Sequence, residues 1–350
     1  MRQRPHRTAD ANARLASLWR SLWLPAGLLF VLFAASFLIG EYPISFSELT
    51  TVVYARLTGG HHDLPEVIET VLFRSRLPRV IAAMLVGGAL AAAGATYQGM
   101  FRNPLVSPDI LGVAAGAGLG AALGIFLSLP LIGIQLLAFA FGLGTVFLVY
   151  VISQAVRGHD PILVLVLAGV VMGALAGACI SLLKVLADPY DQLPAITFWL
   201  LGSLAAINLG DIVTAVPLIV IGLIPLYLLR WRMNVMSLGD EEAHALGVDA
   251  TKMRITFICS ATLITAAAVS ISGIIGWVGL MIPHIARMLV GPGFSRLLPA
   301  SILLGAGYLL AVDDLARTIA AIEVPLGILT AFLGAPFFLW LLATTRRGWQ

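Results

Sequence analysis

Charge is what this chain of 350 residues has least of. Asp, Glu, Lys and Arg together make up 11% of it, against about a quarter in ordinary soluble domains. A soluble protein so poor in charge could not cover its surface. That excludes a cytosolic enzyme, a secreted disulfide scaffold and a disordered chain. Only two of the 21 basic residues are lysines, Lys184 and Lys252. The two cysteines, Cys179 and Cys259, lie inside apolar runs and read as small packing residues. They provide no disulfide framework and no thiolate metal site. The net charge of +3 is too small to point to nucleic acid. Catalytic signatures are missing too: there is no His-Glu-x-x-His and no Gly-x-Ser-x-Gly elbow. A P-loop needs Gly before its Lys, but Lys184 follows Leu183 and Lys252 follows Thr251. The expectation is therefore no catalytic residue, no metal site and no cofactor in this chain. Uphill movement of any cargo would draw on an ion gradient or on a separate ATPase.

What is abundant is apolar residues, 59% of the chain, arranged in long runs. This is a polytopic membrane protein. A spanning helix takes about 20 mostly apolar residues, so ten would use roughly 200. Runs bounded by charge or by Pro and Gly place the spans at 22–40, 78–100, 108–128, 131–153, 161–185, 211–229, 254–272, 274–290, 298–317 and 325–344. Arg2, Arg4, Arg7, Arg14 and Arg20 precede the first run, in the manner of a signal peptide. No clear small-x-small site followed by a polar mature start comes after it, so it reads as an uncleaved span with its basic end in the cytoplasm. The chain thus divides into a basic segment, 1–20, and one transmembrane domain, 21–345. Ten spans bring the C-terminus back to the cytoplasm. Fifteen basic residues then fall inside and six outside, the six being Arg56, Arg74, Arg76, Arg79, Lys184 and Arg317. The asymmetry follows the positive-inside rule.

Three segments are not plain spans. The outer stretch 41–77 reads as two short helices split by Thr58-Gly59-Gly60, with Asp63 capping the second and Pro65 in its first turn. The outer stretch 188–209 contains a run too short to span, Ile196 to Leu201, expected as an interfacial or re-entrant helix. The inner loop 230–253 contains Gly239-Asp240-Glu241-Glu242-Ala243-His244-Ala245-Leu246-Gly247, a short helix ended by Gly247. Its apolar residues Met236, Leu238, Ala245, Leu246 and Val248 would face another surface.

Glycines recur every four residues in the third span (Gly112, Gly116, Gly120, Gly124) and in the fifth (Gly169, Gly173, Gly177). In lipid, small residues at this spacing let helix backbones approach and gain dispersion contacts. Both spans are expected inside the bundle, where the glycines serve helix packing or also line a pathway. Among the charges near span ends, Asp313 and Arg317 are four apart and can pair along one helix face. Arg76 and Arg79 flank Leu77-Pro78 at an outer mouth, either anchoring the span or receiving an acidic partner. His61-His62 lack a third metal ligand, and His284 reads as a helix-end residue. The membrane-centre stretches are nearly free of charge, which counts against a gradient-driven transporter with midplane ion sites.

Six blocks together are specific. Arg76-Leu77-Pro78-Arg79 comes first. Gln98-x-x-x-Arg102-Asn103-Pro104-Leu105 follows, running on to Pro108-Asp109-Ile110-Leu111-Gly112. Next are Ser237-Leu238-Gly239 to Val248, and Gly276-Trp277-Val278-Gly279 to Arg287. Asp313-x-x-x-Arg317 and Pro325-Leu326-Gly327 with Gly334-Ala335-Pro336 complete the set. In order and spacing these resemble the permease family of ATP-driven (ABC) importers for iron chelates, haem and cobalamin, over about residues 20–345. The resemblance implies a type II importer architecture of about ten spans in the bacterial inner membrane. It implies a homodimer around a central pathway, two cytoplasmic ATPase subunits that bind ATP and Mg, and a periplasmic substrate-binding protein. By the same resemblance Arg76, Arg79 and Arg317 are the outer arginines that meet acidic residues of the binding protein. Leu238, Gly239, Asp240, Glu241, Ala245, Leu246, Gly247 and Val248 are the coupling surface for the ATPase, and the fifth span lines the pathway. An iron chelate (ferric siderophore) is the first expected cargo, haem the second, and cobalamin or an oxyanion such as molybdate the third. His159-Asp160-Pro161-Ile162 lacks the small hydroxyl residues that form the inner gate of cobalamin importers.

Overall fold

The computed structural model describes residues 22–61, 63–156, 161–320 and 322–344. The basic segment 1–20, His62, Arg157, the His159-Asp160 pair and Arg346–Arg347 lie outside the described residues. The chain is all-helical, with fourteen helices and no strand among the described residues. They are α1 (Leu22–Ser36), α2 (Phe46–Thr58), α3 (Glu66–Met100), α4 (Val113–Phe126), α5 (Leu131–Ala155), α6 (Pro161–Leu186), α7 (Gln192–Leu201), α8 (Leu209–Leu228), α9 (Arg230–Met236), α10 (Asp240–Ala245), α11 (Ala250–Ser272), α12 (Val278–Val290), α13 (Phe294–Ala316) and α14 (Leu326–Thr344).

Six of these, α3, α5, α6, α8, α11 and α13, are long and apolar enough to cross a membrane as single helices. The other four expected spans correspond to α1, α4, α12 and α14. Fourteen residues of helix rise only about 21 Å, short of the roughly 30 Å hydrocarbon layer. Non-helical leads make up the difference. The span expected at 108–128 opens on a 3-10 turn, Pro108–Leu111, before α4. The span expected at 274–290 opens on an irregular stretch before α12. Such backbone is tolerated at membrane depth only where protein covers it, and Leu111 and Ile275 are both buried.

At the end expected to face outward, Ser45 and Glu48 form a capping box that starts α2, and Gly59 in the left-handed region (φ 69°) stops it. The second outer helix is not separate. It is the first part of α3, joined to the span through a π-helical turn, Val71–Arg76. Pro65, not Asp63, stands at its N-cap. The α2 residue Val52 packs with Ile44, Ile68 and Leu72 in a small satellite core, which holds α2 against the projecting part of α3.

The bundle centres on α3, whose apolar stretch is 83% buried, and on α11, at 72%. α3 packs most extensively on α13, α4 on α5, and α11 on α8 and α3. α4 lies inside as expected, with Val113, Ala117 and Ala121 at or below 1% exposure. α6 does not: only 28% of its apolar stretch is covered within the chain.

Candidate functional site

The first candidate site is an arginine recess of about 270 Å³, lined by Gly40, Tyr42, Ser75, Arg76, Arg79, Arg317 and Glu323. The three arginines predicted at an outer mouth do meet here, but not as exposed cations. Arg76 is 4% and Arg79 8% exposed. Arg79, on α3, gives its Nε edge to Asp313 of α13 at 2.9 and 3.0 Å. Its two Nη atoms go to Glu323 at 2.9 and 2.7 Å. Arg317 contacts Asp313 at 3.3 Å, the pairing four residues apart that the sequence allowed, and also binds Asp314. Asp314 in turn accepts from Ser36 of α1. Arg76 donates to the carbonyls of Phe37 and Tyr42, and Arg317 to that of Ile39 at 3.3 Å. These two cations therefore satisfy carbonyls that follow the C-terminus of α1, where cations are favoured.

Asp313, Asp314 and Glu323 balance the three guanidiniums, and Glu41 also lines the recess, so the cluster is compensated within the chain. The physical reason is dielectric. At the ends of apolar helices a bare guanidinium is costly, and its rigid fork pairs well with carboxylates. Gly40 belongs to the same construction: with φ at 149°, a Cβ there would lie 2.9 Å from the Arg76 guanidinium.

The second candidate site is the inner loop. α10 forms over Asp240–Ala245 and is closed by Gly247 at φ 77°, with Val248 N–H donating back to Ala243 at 2.8 Å. Leu246 and Leu238 are exposed at 61% and 60%, as are Asp240, Glu241 and Ala245. Met236 and Val248 correct the expectation: each is 4% exposed and belongs to the chain's own core, where they seat the loop. Gly239 is also buried. Asp240 pairs with Arg254 of α11 at 2.8 Å, which fixes the start of α10. Asp249 caps α11, and the backbone N–H of Lys252 holds its carboxyl below the usual carboxylate range.

The third feature is apolar. A cavity of about 660 Å³ opens between α7, the stretch before α12, and α14, walled by Leu200, Leu201, Ile274, Trp277, Phe332 and Pro336. Separately, α6 presents Leu167, Val170, Val171 and Leu175, each more than half exposed. A Cβ on Gly116 or Gly120 would collide with α5, at Thr145 and at the Leu137 carbonyl. Gly112 closes the 3-10 turn at φ 76° and faces Gly169, and Gly169 packs on the Ile110 carbonyl. Gly173 is loosely packed, and a Cβ on Gly177 would meet nothing within 4 Å.

Residues 28–344 match the model of the FecCD transport family. This chain belongs to that family. Among its relatives, the molybdate import system permease protein MolB of Haemophilus influenzae is 41% identical over 89% of this chain and 91% of its own. A Helicobacter pylori protein described as an iron chelatin transport permease is 42% identical over 82% of this chain and 86% of its own. A solved structure described as a metal-chelate-type ABC transporter in an inward-facing conformation superposes with a TM-score of 0.82. It shares 39% identity and covers 92% of this chain and 98% of that one.

The chain is therefore an ABC importer permease, and the FecCD family is one of transport subunits, not of ATPases. Two features of this permease escaped sequence reasoning. Glu323 completes the arginine recess, yet in the sequence it is a lone acid ahead of Pro325. Gly87 of α3 and Gly305 of α13 lie against each other, the carbonyl of each occupying the space a Cβ on the other would need. Small residues do recur every four around Gly87 (Ala83, Ala91, Ala95, Gly99), but most of them are alanines, so a search for glycine ladders passes over this run.

Proposed function

We propose that this permease forms a homodimer that carries an iron chelate across the bacterial inner membrane, with both termini in the cytoplasm. Two cytoplasmic ATPase subunits power it and a periplasmic binding protein feeds it. The observation that carries this reading is the uncovered face of α6. It is long and apolar, and Gly177 at its edge opens to empty space. Small and aliphatic side chains suit a bulky, ligand-wrapped metal, whereas a bare ion would call for charged or ligating groups. Two such faces, one from each copy, make the conduit.

The exposed Leu238 and Leu246 with Asp240 and Glu241 seat in a cleft of the ATPase, while Gly247 and Val248 hold the coupling helix in place. The arginine recess receives an acidic side chain of the binding protein. Its cations are shared with internal carboxylates, so docking uses the cavity between Ser75, Tyr42 and the arginines rather than free surface charge. Ser75→Trp would fill that cavity and is expected to abolish docking without touching the buried pairs.

A second reading, import of an oxyanion, is favoured by the similarity to the Haemophilus molybdate permease. Uptake by a strain lacking this chain, measured with radiolabelled ferric siderophores, haem, cobalamin and molybdate, separates the cargoes. Loss of siderophore uptake alone, restored by the wild-type gene, is the expected result. Loss of molybdate uptake alone would establish the second reading.

A further inference from the structure

Arg79 holds two carboxylates that differ in freedom. Asp313 is fully buried on α13, whereas the Glu323 side chain is 23% exposed and sits in the loop leading into α14. The two edges of the guanidinium are taken, the Nε edge by Asp313 and the Nη edge by Glu323. A carboxylate entering the recess can therefore reach the fork of Arg79 only at the place Glu323 occupies. Glu323 also accepts a hydrogen bond from Ser203 at 3.3 Å, just beyond α7. One further bond, Leu326 N–H to the Gly202 carbonyl at 2.9 Å, ties the same two elements. The end of α7 and the start of α14 wall the apolar cavity through Leu200, Leu201, Gly327 and Ile328.

We propose that Glu323 is a resident stand-in for the partner's carboxylate: it occupies the open edge of Arg79 until docking displaces it, and its release loosens the tie between α7 and α14 beside the apolar cavity. This rests on the docking reading of the arginine recess given above. Arg79 keeps one buried partner, Asp313, throughout, so the exchange leaves no guanidinium uncompensated. The incoming carboxylate replaces a bidentate pair with another, which keeps the exchange reversible.

The test uses the permease–ATPase complex in lipid nanodiscs and the binding protein that supports uptake with it. Glu323→Gln removes the competing charge, and docking is expected to tighten about tenfold. Spin labels on Ala205→Cys and Ile322→Cys, in a Cys179→Ser, Cys259→Ser background, report the α7–α14 tie. Their distance distribution is expected to broaden in Glu323→Gln and, in the otherwise unaltered complex, on docking. Ser203→Ala should broaden it with docking affinity unaltered. Unchanged or weaker docking in Glu323→Gln, or a distribution that stays narrow in both variants, overturns the proposal. If Glu323→Gln does not assemble, Glu323→Asp, which keeps the charge and shortens the reach to Arg79, should dock more tightly than the wild type by less than tenfold, and unchanged or weaker docking there overturns the proposal. Wild-type docking by Ser75→Trp would remove the docking reading itself. Lost docking there with unaltered docking in Glu323→Gln would remove only the exchange.

Discussion

Arg79 and Asp313 meet at 2.9 and 3.0 Å although 234 positions separate them in the chain. Their pair fastens α3 to α13, the two helices that pack most extensively on each other. Asp313 has no exposed surface and serves Arg317 as well. Asp313→Asn leaves two buried guanidiniums short of charge, and breaking such a pair typically costs about 3–5 kcal/mol. A clear drop in the thermal unfolding midpoint of the purified permease is expected, and an unchanged midpoint would show that Glu323 and Asp314 suffice. For the same reason Arg79→Glu should fail in assembly, so charge reversal here cannot report on docking alone.

The proposed coupling surface separates from the residues that seat it within a single loop. Leu246 is 61% exposed and Val248 4% exposed. Leu246→Asp is expected to keep the unfolding midpoint and to lose ATPase subunits during purification. Val248→Asp buries an unpaired charge, so the midpoint itself should fall. Retention of normal subunit stoichiometry in Leu246→Asp would overturn the coupling assignment.

Much of the architecture was legible in the sequence because apolar run length and glycine punctuation act locally. Gly247 closes α10 as expected, and Gly59, in the split expected between the two outer helices, closes α2, both at positive φ. Charge direction was not legible. Arg76, Arg79 and Arg317 look like surface cations in one dimension, and only the arrival of Asp313, Asp314, Glu323 and the carbonyls after α1 turns them inward. The position of α6 was not legible either. Its glycines follow the same four-residue rule as those of α4, yet α5 covers α4 while much of α6 has no cover within the chain. A spacing rule reports that a helix can be approached closely, not whether the approaching helix belongs to the same chain.

Orientation in the membrane can be read by labelling. Leu57 on α2 is 81% exposed, and Ala245 on α10 is exposed at the opposite functional surface. In a background without the native cysteines, Leu57→Cys is expected to react with a membrane-impermeant maleimide added to spheroplasts. Ala245→Cys should react only after lysis. The reverse pattern would invert the topology and with it both termini.

The sharpest contrast lies between two glycines that the sequence treats alike. Gly120 on α4 faces the Leu137 carbonyl and Phe141 of α5, and any Cβ there displaces backbone. A Cβ on Gly177 of α6 would meet nothing within 4 Å. Replacing glycine by valine changes helix propensity similarly, and slightly favourably, at either site, so the difference between them reports packing. Gly120→Val overfills the α4–α5 contact, worth about 1–3 kcal/mol of destabilisation, and should lower the unfolding midpoint together with uptake. Gly177→Val adds a side chain to open space, so the midpoint should stay near that of the wild type. If the α6 face meets a second copy or passing cargo, uptake should nevertheless fall in Gly177→Val, because the added side chain narrows a conduit absent from the single chain. Full uptake with an unchanged midpoint would assign that face to lipid and leave the pathway to other helices.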